Sequence, residues 1–280
     1  MALLERINQF ILLIIDTLRQ IGQWRIWAVL LSYYFLQWLV LYLLYSYPAG
    51  SFSGLVMGWI SLFGAEKANA FGHYPQHLLL LGEFSSWAKL LVGLVLEGLV
   101  LGLVATRFYR RFTRVQGPLL PEGRALLVCW LNLALVWVVI NGLMLAAGQV
   151  LPSLFAPYLD GPRRVLAFSF VLMPLVFTTV FSLFFLALPS VVLFRENALR
   201  AMFRSLRHFL RRPFTFLGLG LVILAVPILL GALASRPMGI VDSFKPELVY
   251  WILVSSLLTE MVAAFFWMGT AVRYLCSEER

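Results

Sequence analysis

The sequence carries very little charge for its length. Of 280 residues, 12% are charged and 61% are hydrophobic, whereas soluble domains have about 25% charged residues. This deficit predicts that lipid surrounds most of the chain. The net charge of +9 does not indicate nucleic-acid binding, because the basic residues cluster at the ends of apolar segments, where they orient membrane proteins.

Cysteine and the common catalytic motifs are also scarce. The only two cysteines are Cys129, in an apolar segment, and Cys276, in the basic C-terminal segment. They predict neither a disulfide framework nor a metal motif. The sequence contains no P-loop, G-x-S-x-G, H-E-x-x-H or Rossmann fingerprint. We therefore expect a protein that is not an enzyme and has no cofactor.

Six apolar segments are long enough to cross a bilayer as helices. They cover residues 24–47, 87–106, 125–147, 165–193, 214–233 and 248–272. The predicted fold is all-α: one polytopic membrane domain over residues 1–280 with six transmembrane helices. Pro174 lies inside the fourth segment, where a proline is expected to kink the helix.

Two further segments are predicted to be amphipathic helices in the membrane plane. Residues 1–23 have an apolar core too short to span the hydrocarbon. Residues 194–212 combine an apolar stripe with a basic stripe at helical spacing, as interfacial helices do. The basic stripe contains the candidate contacts for anionic head groups or a protein partner: Arg200, Arg204, Arg207 and Arg211. Residues 52–63 are apolar but again short, which indicates an interfacial or re-entrant helix.

Lysine and arginine are unevenly divided between the two sides that six spans define. With both termini in the cytoplasm, 16 of the 22 basic residues lie inside. The six outside are Lys67, Lys89, Arg163, Arg164, Arg236 and Lys245. The positive-inside tendency therefore predicts a multi-pass protein with both termini cytoplasmic.

Two carboxylates fall in the middle of predicted spans. Glu97 lies in the second span and Glu260 in the sixth, and no lysine or arginine is expected at their depth. An ionised carboxylate there costs roughly 3 kcal/mol or more. Both spans run in the same direction, so the two carboxyls can meet at one depth. The candidate partners at that depth are Asn141, Thr178, Thr179 and Ser256.

This group of polar side chains has two interpretations. It can form a cation site, a proton-coupled site or a path for a polar substrate. Alternatively, the two acids are protonated and hydrogen-bond neighbouring helices together.

Two histidines outside the spans offer a second candidate site. His73 and His77 are four residues apart, with Glu66 and Glu83 nearby, and on a regular helix such a pair can bind a transition metal. Pro75 lies between them and makes a regular helix doubtful. Two interfacial histidines in a loop, at the turn-like residues 72–76 and directly after them, are the favoured interpretation.

The segment PSVVLFRENALRAMFRSLRHFLRRP, from Pro189 to Pro213, covers about a tenth of the chain. It resembles a segment common in bacterial six-span inner-membrane proteins, some of which are assigned to the membrane domain of glycerophosphodiester phosphodiesterase. In those proteins a span ends in a proline-containing exit, and an in-plane helix with an Ala-Leu-x-x-Ser-like pattern follows. In this sequence, Ala201 and Ser205 lie in the region that corresponds to this pattern. The resemblance implies a location in the bacterial inner (plasma) membrane, and it carries over no catalytic residue.

These features favour a membrane-embedded, non-enzymatic subunit of a transport or export assembly. A structural or lipid-interacting membrane scaffold is the first alternative, and an intramembrane metal-dependent enzyme is the second. The expected partners are the lipid bilayer, anionic lipid head groups and a protein bound at the cytoplasmic face, but no nucleic acid.

Overall fold

A computed structural model describes residues 2–46, 53–115, 121–234 and 237–278, with side chains from residue 8 onward. The described residues form helices and turns, with no β-strand among them. This confirms the predicted all-α fold class. The predicted end of the first span at residue 47 and the charges of Arg236 and Arg280 lie outside the described residues.

The helices follow one another with short connections. In chain order they are α1 (Ala2–Leu18), α2 (Trp24–Tyr45), α3 (Ser53–Ser61), α4 (Ala65–Phe71), α5 (Gln76–Thr113), α6 (Arg124–Phe155), α7 (Pro162–Ala167), α8 (Met173–Leu183), α9 (Ala187–Leu193), α10 (Ala198–Arg211), α11 (Pro213–Ala234), α12 (Pro237–Ser243) and α13 (Leu248–Glu278).

Within these ranges, six helical stretches are long and apolar enough to cross a membrane. They are Trp24–Tyr45, Gln76–Thr113, Arg124–Tyr158, Pro162–Leu193, Pro213–Ala234 and Leu248–Glu278. Their number and order agree with the sequence prediction. The main difference is the second span, whose helix begins at Gln76 rather than at residue 87. The protein is an integral, multi-pass membrane protein.

The chain divides into two compact units. Unit 1 comprises residues 1–31, 94–225 and 262–280, and unit 2 comprises residues 32–93 and 226–261. Among the described helices, α2, α5, α11 and α13 contribute a segment to each unit.

Glycines allow close helix packing in unit 1. A Cβ atom built at Gly98 of α5 would lie 3.1 Å from the Cβ of Leu133, and one at Gly102 would lie 3.0 Å from Cγ2 of Val192. The G-x-x-x-G spacing of α5 therefore faces α6 and α9, as small-residue motifs do at helix contacts in membranes. At Gly269 of α13, a Cβ would clash with Thr17 of α1.

The fourth span is interrupted twice. A π-helical turn over Phe168–Leu172 ends directly before α8, which carries Pro174 in its first turn. Near Pro174, where the sequence predicts a kink, the structure has a π-helical turn, a feature that often occurs where a helix bends. The second interruption, at residues 184–186, separates α8 from α9.

Side chains from other helices bond the backbone at this second interruption. The Ser205 hydroxyl donates to the Leu183 carbonyl at 2.8 Å and accepts from the Leu186 N–H at 3.1 Å. The indole Nε1 of Trp267 donates to the Phe185 carbonyl at 2.8 Å. An interrupted helix is tolerated at membrane depth when protein groups bond the freed backbone in this way.

Helix α10 has three faces, although the sequence predicts two stripes. One face is buried against unit 1 and consists of Ala198, Ala201, Ser205 and Phe209. A second is apolar but exposed and carries Leu199, Phe203 and Leu210. The third carries the exposed arginines Arg200, Arg207 and Arg211. An exposed apolar edge beside a cationic edge is typical of a helix at the boundary between hydrocarbon and head groups.

Two of the described polar side chains of helix α1 face the protein. The Asp16 carboxylate accepts from Arg273 Nε at 2.7 Å, and Gln9 Oε1 accepts from Arg212 at 2.7 Å. The opposite side exposes Ile11, Leu12, Ile15 and Leu18. An apolar face is therefore left for lipid, and Gln9 and Asp16 are used for packing inside unit 1.

Short helices cover one part of unit 2. Residues 53–61 form α3, as expected of the short apolar run, and α4 follows as an additional helix. Aromatic rings pack α3 and α4 against α5: Phe84 lies 5.2 Å from Phe71, 5.4 Å from Phe63 and 5.8 Å from Trp59, each in an edge-to-face arrangement. Such geometry stabilises aromatic clusters beyond the burial of their surface.

Candidate functional site: a polar cavity in unit 2

Unit 2 encloses a cavity of about 410 Å³ between segments of α2, α5, α11, α12 and α13. This volume is in the range of small-molecule sites. Most of its wall is apolar, and a few polar side chains converge on it. The polar wall residues are Gln37, Glu83, Ser85, Ser86, Lys89, Ser256 and Glu260.

An ion pair forms the centre of the polar wall. The Lys89 ammonium lies 2.7 and 2.6 Å from the two carboxylate oxygens of Glu260. The Ser256 hydroxyl, one turn earlier on α13, donates to Oε1 of Glu260 at 3.0 Å. The side chains of Lys89 and Glu260 keep 34% and 28% of their exposure, and both line the cavity. The pair is therefore open to the cavity.

The expectation that no cation lies at the depth of Glu260 is wrong. Because α5 begins at Gln76, Lys89 lies about 20 Å along its helix, and Glu260 lies about 18 Å from the start of α13 at Leu248. The two side chains are thus at matching positions along their helices. A span that starts at residue 87 places Lys89 at the water boundary, and this explains the error.

Gln37 of α2 contributes a buried amide that the sequence reasoning missed. Its side chain is 4% exposed, and its Nε2 donates to the Tyr33 hydroxyl at 2.5 Å. Its Oε1 has no hydrogen-bond partner among the described atoms. A buried unsatisfied polar group costs roughly 1–3 kcal/mol, so this oxygen favours a bound donor in the cavity. A lone glutamine in the middle of an apolar segment is the sequence signal for it.

The other predicted members of the intramembrane site belong to unit 1. Asn141 donates to the Trp137 carbonyl at 3.0 Å, and Thr179 donates to the Leu175 carbonyl at 2.7 Å, each within its own helix. Thr178 is fully buried, and its hydroxyl has no partner among the described atoms. Glu97 is half-buried. Glu260 and Ser256 belong to unit 2, so the predicted meeting of Glu97 with Glu260 stays a prediction.

The two histidines do not share a regular helix. His77 is in the first turn of α5 and is buried against the rings of Phe71 and Tyr74, whereas His73 precedes the helix and is exposed. The structure thus agrees with the interpretation of residues 72–76 as a turn. In the described part of the chain, no three His, Cys, Asp or Glu side chains are close enough to hold a metal ion.

The arginines predicted to contact lipid or a partner differ in their surroundings. Arg204 is half-buried, since its guanidinium bonds the Glu196 carboxylate and lies 4.2 Å from the Phe194 ring centre. The other three, Arg200, Arg207 and Arg211, are exposed. Their contact with head groups or a partner stays a prediction.

Comparisons of this chain with protein-family models, with curated proteins and with solved structures find no match. The functional argument therefore rests on the geometry of the protein itself.

Proposed function

We propose that the protein is a non-enzymatic, membrane-embedded component of a transport system and that the unit 2 cavity binds a small zwitterionic solute. The Lys89–Glu260 ion pair carries this proposal, because it lies on the wall of a cavity between membrane-spanning helices. Ionisable residues within such helices characteristically mark substrate and ion pathways.

The chemistry of the pair favours a zwitterion over a solute with a single charge. A bound zwitterion can place its anionic group on Lys89 and its cationic group on Glu260, so every charge keeps an opposite partner. A solute with one charge would leave one member of the pair without its partner, and an uncompensated buried charge costs several kcal/mol. The free Oε1 of Gln37 can accept one further hydrogen bond from the solute.

The ion pair by itself is compatible with a membrane for the same reason. Lys89 and Glu260 neutralise each other, and Ser256 donates a further hydrogen bond to the carboxylate. Paired charges are the form in which ionisable groups are retained within membrane helices. The cavity can thus alternate between an internal ion pair and a solute-bound state without a change in net charge.

A thermal-stability titration of the purified protein in mild detergent tests the proposal. The probes are glycine, proline and glycine betaine, with acetate and ethylammonium as analogues that carry one charge. A ligand at 100 times its dissociation constant stabilises a protein by about 2.7 kcal/mol. We expect at least one zwitterion to raise the unfolding temperature, and both Glu260→Gln and Lys89→Gln to abolish that shift.

Asp16→Asn provides a matched control, since it removes an ion pair with Arg273 in unit 1 without altering the cavity wall. It should lower stability but keep the solute-induced shift. The proposal is wrong if none of the three zwitterions shifts the wild-type protein. It is also wrong if acetate or ethylammonium acts as strongly, or if Glu260→Gln keeps the full shift.

The lipid-interacting scaffold remains a second candidate, because α1 and α10 both expose apolar faces. Under this alternative, the combined change of Arg200 and Arg207 to Ala would reduce retention of anionic lipid or of a protein partner during purification. Glu260→Gln would then have no effect on function.

We also propose a bacterial inner-membrane location with both termini cytoplasmic. The distribution of arginine and lysine supports this orientation, and the resemblance of residues 189–213 supports the membrane.

A further inference from the structure

A second cavity, in unit 1, has an entirely different character. It has a volume of about 640 Å³ and lies between the start of α2 and the end of α5. Five of the described arginines line it: Arg25, Arg107, Arg110, Arg111 and Arg114. The remaining wall residues are Gln23, Ile26 and Val115, so no carboxylate is among the described residues that line this arginine cavity.

The sequence pattern explains why these guanidinium groups converge. Residues 107, 110 and 111 follow the three- and four-residue spacing of one helical face, so their side chains leave the end of α5 on the same side, and Arg114 directly follows the helix with a left-handed backbone (φ 58°). Arg25, in the first turn of α2, adds a fifth charge from another direction. Arg107 is half-buried and lies within the electrostatic reach of Arg25 and Arg110.

The positive charge around this cavity exceeds what the end of α5 offsets. The C-terminal end of a helix carries about half a unit of negative charge, which is far less than five guanidinium groups. The Gln20 side chain accepts one hydrogen bond from Arg111 Nε at 3.3 Å, but it brings no charge. The positive-inside tendency explains how many arginines lie on one side of a membrane, and it does not explain their convergence on one space.

We infer that the arginine cavity binds a phosphate-bearing anion. Guanidinium groups present paired N–H donors that match the oxygens of a phosphoryl group, and several of them around one space can contact different oxygens of the same group. Two sources share this chemistry: the head group of an anionic phospholipid, and a phosphate group in solution. The site is independent of the zwitterion cavity in unit 2.

Native mass spectrometry of the detergent-purified protein tests the inference. One arm titrates phosphatidylglycerol against phosphatidylcholine, and the other titrates inorganic phosphate and pyrophosphate. The test variant changes Arg25, Arg107 and Arg110 to Gln. The matched control changes Arg200, Arg207 and Arg211 of α10 to Gln, which removes the same net charge from positions that do not line the arginine cavity.

We expect the cavity variant to bind the anion at least about tenfold more weakly, since each charge-assisted hydrogen bond contributes substantially to binding. The control variant should lose less than about threefold. A selective loss of phosphatidylglycerol identifies a lipid head group as the source, and a selective loss of phosphate or pyrophosphate identifies a soluble one. Either result supports the site.

Two results would overturn the inference: no anion bound to the wild-type protein in either arm, or equal losses in both variants, which indicate a diffuse charge effect. If the triple variant does not fold, Arg107→Lys with Arg110→Lys is the second test, because it keeps the charge and removes the paired donor geometry. That variant should still weaken binding, and unchanged binding would contradict the site.

Discussion

Ser205 provides the sharpest test of how unit 1 is held together. Ser205→Ala removes one hydroxyl from a 2% exposed side chain in α10. That hydroxyl bonds two backbone groups at the break in the fourth span, the Leu183 carbonyl and the Leu186 N–H. Alanine is nearly the same size, so little room is left for water to replace the lost hydroxyl.

The expected loss of unfolding free energy follows from the two backbone groups that lose their hydrogen-bond partner. Each buried unsatisfied backbone group costs roughly 1–3 kcal/mol, and the better helix propensity of alanine offsets roughly 0.5 kcal/mol. Since a carbonyl keeps a second lone pair for other bonds, we take the lower part of this range. The variant should lose about 1.5–3.5 kcal/mol of unfolding free energy.

Unfolding of the purified protein by SDS in mixed micelles measures this loss. Ser277→Ala is the matched control, because Ser277 is exposed and its hydroxyl donates only within its own helix, to the Tyr274 carbonyl. That variant should stay within about 0.5 kcal/mol of the wild type. If Ser205→Ala were no more costly than Ser277→Ala, the side chain would not bond the broken span as described.

Three further predictions concern unit 1. Gly269→Ala should destabilise the protein by about 1–3 kcal/mol in the same SDS assay, because a Cβ there clashes with α1. Gly142 has open space around it, so Gly142→Ala should be neutral or slightly stabilising. Trp267→Phe keeps a ring but loses the donor to the Phe185 carbonyl, and it should cost about 1–2 kcal/mol by the same measurement. Burial lowers the pKa of His208 below its usual value, with the Glu278 carboxylate opposing and nearby arginines reinforcing the shift. Its contribution to stability is therefore full above about pH 6.5 and is lost as the pH falls, and His208→Gln should flatten the thermal-stability profile between pH 7.5 and 5.

The fold class and the number of spans could be predicted because hydropathy and segment length determine them directly. Helix limits were harder to predict for a physical reason. Residues 76–86 mix apolar and polar side chains, so hydropathy underestimates α5, although the helix continues through them. That single error misplaced Lys89 and hid its ion pair with Glu260.

The orientation of helix faces was also beyond the sequence. The pattern of α10 shows one apolar stripe, but only tertiary packing decides that Ala201 and Ser205 face the protein while Phe203 remains exposed. In α1, the sequence alone suggests that Asp16 faces water, whereas in the structure its carboxylate accepts a hydrogen bond from Arg273. Both cases depend on which side chains lie nearby in space, which a single sequence does not reveal.

The convergence of the five arginines shows the same limit. The spacing of residues 107, 110 and 111 predicts a common face on α5. The contribution of Arg25 from α2 depends on how the two helix ends pack, and it became visible only in the structure.

Cysteine accessibility at Ser256 tests the central claim, a solute-accessible polar cavity between membrane-spanning helices, most directly. With Cys129 and Cys276 changed to Ala, Ser256→Cys and Leu258→Cys are compared in a bilayer with a charged, membrane-impermeant methanethiosulfonate reagent. Ser256 lines the cavity, whereas Leu258 is 55% exposed on the opposite side of α13, where lipid is expected. The account predicts rapid labelling at position 256 and none at position 258. Labelling at neither position, or equal labelling at both, would contradict it.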